Sequence, residues 1–205
     1  MASVEVIVPA FDEAGRIGTT VAPLADRFDV LVVDDGSTDE TVREARAAGA
    51  RVAEQPTNRG YLEALKRGFR ESEAEVLVTF DADGEHRPAD VDRLVEPILA
   101  DRLDLVLGAR SRIPRLSERL LNRLARLRLD VTDSGTGLRA LRRSLAVQLT
   151  LDTACTCGTF VLEAANEGAR IGEIEVTTRE IQKPRGVAWD HAEQLFHVLR
   201  YLLRG

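Results

Sequence analysis

Short apolar runs alternate with amphipathic stretches along the first half of the chain. The runs are rich in Val, Ile and Leu and are bounded by polar or turn-forming residues, which is typical of buried β-strands. They cover residues 4–10, 30–35, 51–55, 76–81 and 104–110. In the stretches between them, apolar side chains recur every three or four positions, which predicts helices. These cover residues 14–26, 37–49, 58–69 and 88–101.

Strands that alternate with helices of this length predict an α/β fold with a mostly parallel central sheet covered by helices on both faces. The chain has 205 residues, which is enough for one domain with a sizeable core and short for two. We therefore predict a single Rossmann-like domain over residues 1–205. Near the C-terminus, apolar residues at helical spacing predict an amphipathic helix over about 188–203.

Acidic side chains follow three of the predicted strands at the point where each strand ends. In parallel sheets this edge holds the ligand site. Crowded carboxylates raise one another's pKa unless a cation joins them, and Mg²⁺ binds carboxylates together with substrate phosphates. Asp81 and Asp83 therefore suit a metal–diphosphate site, although an Asp-x-Asp pair alone also fits a solvated turn at Gly84. The residues at these strand ends are Pro9, Phe11, Asp12, Glu13, Asp34, Asp35, Asp81, Asp83, Glu85, Arg110 and Arg112.

Composition and charge narrow the class of protein. The net charge of −6 argues against a broad nucleic-acid-binding surface. No apolar run is long enough to span a bilayer, and the N-terminus lacks the pattern of a secretion signal. The two cysteines, Cys155 and Cys157, do not suggest a disulfide framework and fit a core role better than a metal site. We therefore expect a cytoplasmic protein.

Three other classes of acidic motif match the sequence poorly. Residues 80–84 resemble the nucleophile motif of haloacid-dehalogenase-type phosphatases, and residues 30–36 resemble a phospho-accepting receiver domain. Both classes need a downstream lysine, but no lysine lies between Lys66 and Lys183. A calcium-binding loop is excluded because Pro88 interrupts it and its glycine is misplaced.

The motifs taken together resemble those of family 2 glycosyltransferases with the GT-A fold. In type, the chain is most similar to dolichol- and polyprenyl-phosphate hexose synthases. The similar segments follow in the family's order along the chain. They are VPAFDEAGRI at 8–17, VVDDGSTDET at 32–41, NRG at 58–60, FDADGEHRPADV at 80–91, GAR at 108–110 and TDSGTGLRALRRS at 132–144.

The resemblance implies a nucleotide-sugar half over about residues 1–110 and an acceptor half over about 111–180. A nucleoside-diphosphate hexose, with uridine or guanosine as the base, would bind the first half, with Asp35 bonded to the base. The implied metal is Mg²⁺ or Mn²⁺, bound by Asp81, Asp83 and Glu85, the last replacing the usual Gln. Members generally invert the configuration of the sugar. The implied donor-binding residues are Pro9, Ala10, Asp12, Glu13, Asp35, Asp81 and Ala82.

On the acceptor side, residues 108–128 combine seven arginines with leucines at helical spacing. Such a helix suits an anionic membrane face or a lipid phosphate, although a packed helix with a solvated basic face fits equally well. The family's lipid-phosphate members bind their acceptor in this region, so we expect a polyprenyl-phosphate acceptor. Asp133 is the candidate catalytic or acceptor-orienting carboxylate, together with Asp83 at the metal. The implied acceptor-binding residues are Arg110, Arg112, Arg139 and Arg179.

The chain departs from the family after the last predicted strand. Arg179 matches the usual pattern, but Ile181 replaces an arginine, which leaves Lys183 and Arg185 as substitutes. A soluble or glycan hydroxyl acceptor therefore stays open. Two other classes also stay open: a nucleotide-sugar-binding protein without catalysis, and a sugar-1-phosphate nucleotidyltransferase, whose Gly-rich opening loop the chain matches poorly. Three roles of the helix over 188–203 stay open: packing on the domain, forming a dimer, or contacting a membrane.

Overall fold

A seven-stranded sheet forms the centre of the computed structural model, which describes residues 2–111, 113, 116–153, 155–179 and 188–203. For residues 188–193 and 202–203 only the backbone is described. The strands lie in the order β3-β2-β1-β4-β6-β5-β7 across the sheet. They are β1 (Val4–Ala10), β2 (Asp29–Asp34), β3 (Arg51–Glu54), β4 (Val76–Thr79), β5 (Leu105–Arg110), β6 (Arg139–Arg142) and β7 (Ile171–Val176).

Helices cover both faces of this sheet, as the sequence predicted. Alternate residues of β1 explain why, since Val6 and Val8 pack into one apolar core and Ile7 packs into the other. A strand that places apolar side chains on both of its faces must have both faces buried. The helices are α1 (Ile17–Ala25), α2 (Thr41–Ala47), α3 (Tyr61–Glu71), α4 (Asp90–Leu99), α5 (Leu116–Ala125), α6 (Arg143–Ala146), α7 (Thr159–Asn166) and α8 (Ala188–Leu203).

Strand β6 is the main element that the sequence reading did not identify. It runs antiparallel between β4 and β5, so that Arg139 lies opposite both Thr79 and Leu107. Its sequence, Arg-Ala-Leu-Arg, has charged residues at both ends and lacks the β-branched content of the other strands. The insertion brings Arg139 beside the carboxyl end of β4, where the acidic cluster begins.

The helix predicted over 37–49 is shorter in the structure, because its first polar residues bond elsewhere. The Ser37 hydroxyl accepts a hydrogen bond from the backbone N–H of Asp12, and Thr41 does the same for Glu13. Asp39 accepts from the N–H of Ala14. A cluster that the sequence suggested as a helix cap therefore holds the loop after β1, and α2 starts at Thr41.

A smaller apolar cluster joins α5, α7 and α8 at one end of the domain. Its buried centre consists of Leu121, Leu162 and Val198, one residue from each helix. Among the helices that the structure describes, none has both the length and the apolar character needed to cross a bilayer.

Candidate active site

A cavity of about 330 Å³ lies at the carboxyl ends of β1, β2 and β4. It is the place that the open α/β topology predicts for a ligand. Seven of the residues proposed from the sequence for the donor and the metal contribute to its wall. The complete set of lining residues is Pro9, Ala10, Phe11, Glu13, Asp35, Asn58, Gly60, Tyr61, Ala64, Asp81, Ala82 and Asp83.

Asp12 does not line this cavity in the structure. Its backbone has a positive φ of 51°, and its carboxylate accepts a hydrogen bond from the N–H of Thr38 at 2.8 Å. This bond ties the loop after β1 to the loop after β2. The family resemblance implied that Asp12 binds the donor, but the residue is not among those that line the cavity. Its contact with a donor stays a prediction.

Glu13 faces the cavity beside other acids. Burial raises the pKa of its carboxyl, Arg16 partly offsets this, and the nearby Asp83 carboxylate raises it further. Because carboxylates gathered in one wall repel each other, the cavity favours a cation or a ligand that carries one.

Asp35 organises the far wall of the cavity. Its carboxylate accepts hydrogen bonds from the Gln55 amide at 2.9 Å and from the backbone N–H groups of Arg59 and Gly60, both at 2.7 Å. These bonds fix the turn that starts α3. Asp35 lines the cavity in this arrangement, and its expected bond to a nucleotide base stays a prediction.

Three side chains at the end of β4 are grouped as metal ligands would be. One ligand atom each from Asp81, Glu85 and His86 lies within 4.8 Å of the others. The two carboxylates suit Mn²⁺ or Mg²⁺, and the imidazole is a ligand that Mn²⁺, as a transition metal, accepts more readily than Mg²⁺ does. The sequence reading proposed Asp83 in place of His86. In the structure one Asp83 oxygen accepts a hydrogen bond from the N–H of Glu85 at 2.9 Å, and a role of Asp83 at the metal stays a prediction. His86 directly follows Glu85, and this position next to the acidic motif is the feature of the sequence that could have indicated it as a metal ligand.

Asp81 packs directly against Gly137 in the loop before β6. A Cβ atom at Gly137 would overlap the Asp81 carboxylate. The Thr79 hydroxyl also donates a hydrogen bond to the Gly137 carbonyl at 2.6 Å. The glycine of the TDSGTGLR segment is therefore the residue that lets the Asp81 side chain take its place.

A second cavity, of about 670 Å³, adjoins the first and shares Gly60, Tyr61 and Asp81 with it. The Tyr61 hydroxyl donates a hydrogen bond to Asp81 at 3.3 Å at the boundary. Part of the Tyr61 ring is exposed. Desolvation and the Asp81 carboxylate nevertheless raise the pKa of its hydroxyl far above the ordinary value, and the nearby Arg139 guanidinium offsets only part of this rise. Tyr61 therefore stays protonated. The remaining lining residues are Arg59, Leu62, Glu63, Lys66, Gly135, Gly137, Leu151, Asp152, Thr153, Cys155 and Thr156.

Arg139 lies fully buried behind the wall of this second cavity. One guanidinium nitrogen donates to the Thr156 hydroxyl at 2.9 Å, and the group lies 4.4 Å from the centre of the Phe160 ring. The guanidinium also interacts with the Tyr61 hydroxyl. Its Nε and Nη1 atoms have no hydrogen-bond partner within the described ranges of the chain. Buried charged donors without acceptors are costly, so this arrangement favours an anion at the cavity wall.

The other residues expected to bind the acceptor are placed differently. Arg110 is buried and forms a two-pronged ion pair with Asp133, at 2.7 and 3.0 Å, and a further bond to Glu118 at 3.1 Å. Both Asp133 oxygens therefore already accept hydrogen bonds from Arg110. Arg179 is exposed, and its backbone N–H donates to the Glu85 carbonyl. Arg112 lies outside the described residues, as do Lys183 and Arg185.

Comparison with known proteins gives consistent matches. The model of "Glycosyl transferase family 2" matches residues 5–162. The undecaprenyl-phosphate mannosyltransferase of Micrococcus luteus is 32% identical, and the match covers 83% of this chain and 81% of that protein. The UDP-N-acetylglucosamine–dolichyl-phosphate N-acetylglucosaminyltransferase of Methanococcus voltae is 28% identical, with 97% and 95% covered.

A solved structure is similar over nearly the whole chain. Glucosyl-3-phosphoglycerate synthase from Mycobacterium tuberculosis, in complex with Mn²⁺ and UDP-glucose, gives a TM-score of 0.81 at 25% identity. The match covers 97% of this chain and 78% of that chain.

Proposed function

The chain belongs to glycosyl transferase family 2, and on that basis we propose that it moves a hexose from a nucleoside-diphosphate sugar to a polyprenyl phosphate, with inversion at the sugar carbon. The enzyme class and the GT-A fold were both predicted from the sequence and are confirmed by the matches. The observation that carries the proposal is the pair of adjoining cavities, one acidic and one backed by a buried arginine, with Asp81 between them.

The acidic cavity is suited to the diphosphate end of the donor. Asp81, Glu85 and His86 are grouped closely enough to hold one divalent ion, and the related structure contains Mn²⁺ with UDP-glucose. Such an ion, when bound, neutralises the charge that develops on the leaving nucleoside diphosphate. The chain's own contribution is to hold these ligands at the end of β4 and to seat Asp81 on Gly137.

The second cavity favours a phosphate acceptor over a hydroxyl acceptor. A hydroxyl needs a general base to remove its proton, whereas a phosphate is already an anion and needs positive groups to position it. Asp133, the candidate catalytic or acceptor-orienting carboxylate, is completely buried and bonded to Arg110, so it is poorly placed to act as a base. Arg139, by contrast, has two buried donor atoms without partners in the described structure. The two curated relatives named above act on dolichyl and undecaprenyl phosphates.

We further propose that α5 and α8 contact an anionic membrane on its cytoplasmic face. The two helices pack together and expose large apolar side chains, among them Leu116 and Phe196, which are 80% and 68% exposed. Four exposed arginines surround the apolar residues of α5 and its C-terminal end. Apolar side chains and arginines on one exposed surface suit a lipid headgroup region, where a lipid-phosphate acceptor is found. These arginines are Arg119, Arg123, Arg126 and Arg128.

A transfer assay tests the proposal directly. UDP- and GDP-hexoses would be supplied with geranyl phosphate as a short, water-soluble prenyl phosphate, or with free sugars as hydroxyl acceptors. Each reaction would be run with Mn²⁺, with Mg²⁺ and with a chelator. We expect metal-dependent transfer to geranyl phosphate from one nucleotide, and an inverted anomeric configuration in the product by NMR.

Matched variants make this assay specific. Asp81→Asn should lower the transfer rate at least about a hundredfold, because a metal ligand is lost. Asp92→Asn removes an exposed acid on α4 that pairs with Arg27, and it should leave the rate unchanged. Transfer to free sugars without transfer to geranyl phosphate would contradict the acceptor assignment. Full activity in the chelator would contradict the metal assignment.

A further inference from the structure

Gln194 connects the C-terminal helix α8 to residues 155–159, called here the 155–159 loop, which ends on the first residue of α7. Its side chain is fully buried. The side-chain oxygen accepts a hydrogen bond from the N–H of Cys155 at 3.2 Å, and the amide nitrogen lies 2.7 Å from the Cys155 carbonyl oxygen. The same nitrogen lies 2.9 Å from the Cys157 carbonyl and 2.7 Å from the Thr159 hydroxyl. One side chain on α8 thus binds three residues of this loop.

The 155–159 loop forms part of the wall of the larger cavity. Cys155 and Thr156 line that cavity, and the Thr156 hydroxyl accepts the hydrogen bond from Arg139. The loop therefore orients the buried guanidinium whose other donors we assign to the acceptor phosphate. A shift of the loop would move Thr156 and would change or break its hydrogen bond with Arg139.

A second contact couples the loop to α8. Gly158 has a positive φ of 79°, and a Cβ atom added there would lie 2.9 Å from Cγ2 of Val198. The helix therefore sits directly on the loop backbone at this point. Because both Gln194 and Val198 are buried against the loop, the position of α8 and the conformation of residues 155–159 are set together.

The donor cavity is built without these elements. Among the described residues, its wall includes none from α8 and none from the 155–159 loop. Nucleotide binding and acceptor binding should therefore respond differently when α8 is loosened.

We propose that Gln194 is a positioning residue for acceptor binding, which holds the 155–159 loop so that Thr156 orients Arg139 towards the acceptor phosphate. This inference rests on the proposed function for the identity of the acceptor. It makes α8 part of the acceptor site, whereas its direct contribution to a described cavity is to a small neighbouring one of about 150 Å³, through His197, Arg200 and Tyr201.

The test compares Gln194→Ala with Gln148→Ala, which changes an exposed glutamine outside both main cavities. The chain's two cysteines are both in the loop, so the rate of their reaction with a thiol reagent under native conditions reports loop opening. Binding of geranyl phosphate and of UDP or GDP would be measured by calorimetry on the same proteins. We expect roughly fivefold faster thiol labelling and about tenfold weaker geranyl phosphate binding in Gln194→Ala, with nucleotide affinity unchanged. Gln148→Ala should behave as wild type.

Gln194→Glu provides a second variant of nearly the same size. It keeps an acceptor oxygen for the N–H of Cys155 but places a carboxylate against two carbonyl oxygens, so it should also weaken geranyl phosphate binding. Unchanged nucleotide affinity in either variant shows that the domain has folded.

The possible results distinguish a failure of the positioning role from a failure of the proposed function. Unchanged geranyl phosphate affinity in Gln194→Ala, or an equal loss of nucleotide affinity, overturns the positioning role. If wild type binds geranyl phosphate but transfers no sugar to it, the proposed function fails while the positioning role is still decided by the affinities. If wild type does not bind geranyl phosphate, both fail.

Discussion

Arg139 is a buried arginine whose charge few of the described side chains compensate. The side chain is fully buried on β6, and its charge is met by the Thr156 and Tyr61 hydroxyls and the face of Phe160, with no carboxylate bonded to it in the described structure. Arg142, three residues later on the same strand, forms ion pairs with both Asp101 and Asp104. The two arginines therefore offer a matched comparison.

Replacing each arginine by methionine should give opposite results. Arg139→Met removes a poorly compensated buried charge and keeps most of the apolar volume, so the melting temperature should stay equal or rise. Acceptor binding should fall at least about tenfold, since a charge-assisted contact is lost. Arg142→Met should lower the melting temperature and leave acceptor binding unchanged. Thermal melts and geranyl phosphate titrations measure both, and a large loss of stability in Arg139→Met would indicate a structural role.

At the scale of elements, the contact between α3 and β1 determines how closely the α3 residues that line the first cavity approach the sheet. Gly68 lies in α3 directly over Ile7 of β1, where a Cβ atom would overlap the Ile7 side chain. The same helix begins with Tyr61, next to the turn that Asp35 holds. Close packing in the middle of α3 therefore positions the residues at its first turn.

Gly68→Ala should accordingly destabilise the fold in spite of the higher helix propensity of alanine. Overpacking of this kind typically costs about 1–3 kcal/mol, which corresponds to a fall in melting temperature of roughly 3–10 °C. The control is Gly18→Ala in α1, where nothing lies within 4 Å of the added atom. That change should stabilise the protein by about 0.5–1 kcal/mol. Calorimetric melts of the two variants measure the difference, and a stable Gly68→Ala would show that α3 can move away from β1.

On the scale of the whole molecule, an ion-pair network links the ends of the strands that point away from the cavities. Asp104 accepts hydrogen bonds from Arg142 and Arg170, and Asp101 pairs with the same two arginines. These contacts join the segments next to α4, β5, β6 and β7. The Arg170 and Arg142 guanidinium groups hold the pKa of the Asp104 carboxyl well below its usual range.

This lowered pKa predicts a loss of stability in acid. A carboxyl with a folded-state pKa below its unfolded value of about 3.9 contributes its full stabilisation above that pH, and the contribution disappears as the pH falls towards the folded-state pKa. The melting temperature of wild type should therefore fall below about pH 4. Asp104→Asn should lower the melting temperature at pH 7 by roughly 3–6 °C. It should also make the fall of the melting temperature in acid, called here the acid limb, less steep. Equal acid limbs in both proteins would assign the loss to other carboxyls.

Local patterns along the chain were sufficient to predict most of the helices and strands and the acidic residues at the end of β4. The predicted strands and helices fall within a few residues of the observed ones, because apolar periodicity reflects which faces are buried. Asp81, Asp83, Glu85 and His86 lie close together in sequence, so the strand end that holds them was visible without a structure.

Only the tertiary structure decided which side chains meet around the second cavity. Tyr61 bonds to Asp81, Arg110 bonds to Asp133, and Gln194 bonds to Cys155 across separations of 20, 23 and 39 residues. Periodicity reports which residues are buried but not which buried residues meet. The sequence by itself therefore determined the family, the fold and the acidic strand end. The packing of β6, α3 and α8 determined that Arg139, rather than Arg110, has donors left for an anion, because Asp133 and Glu118 already bind Arg110.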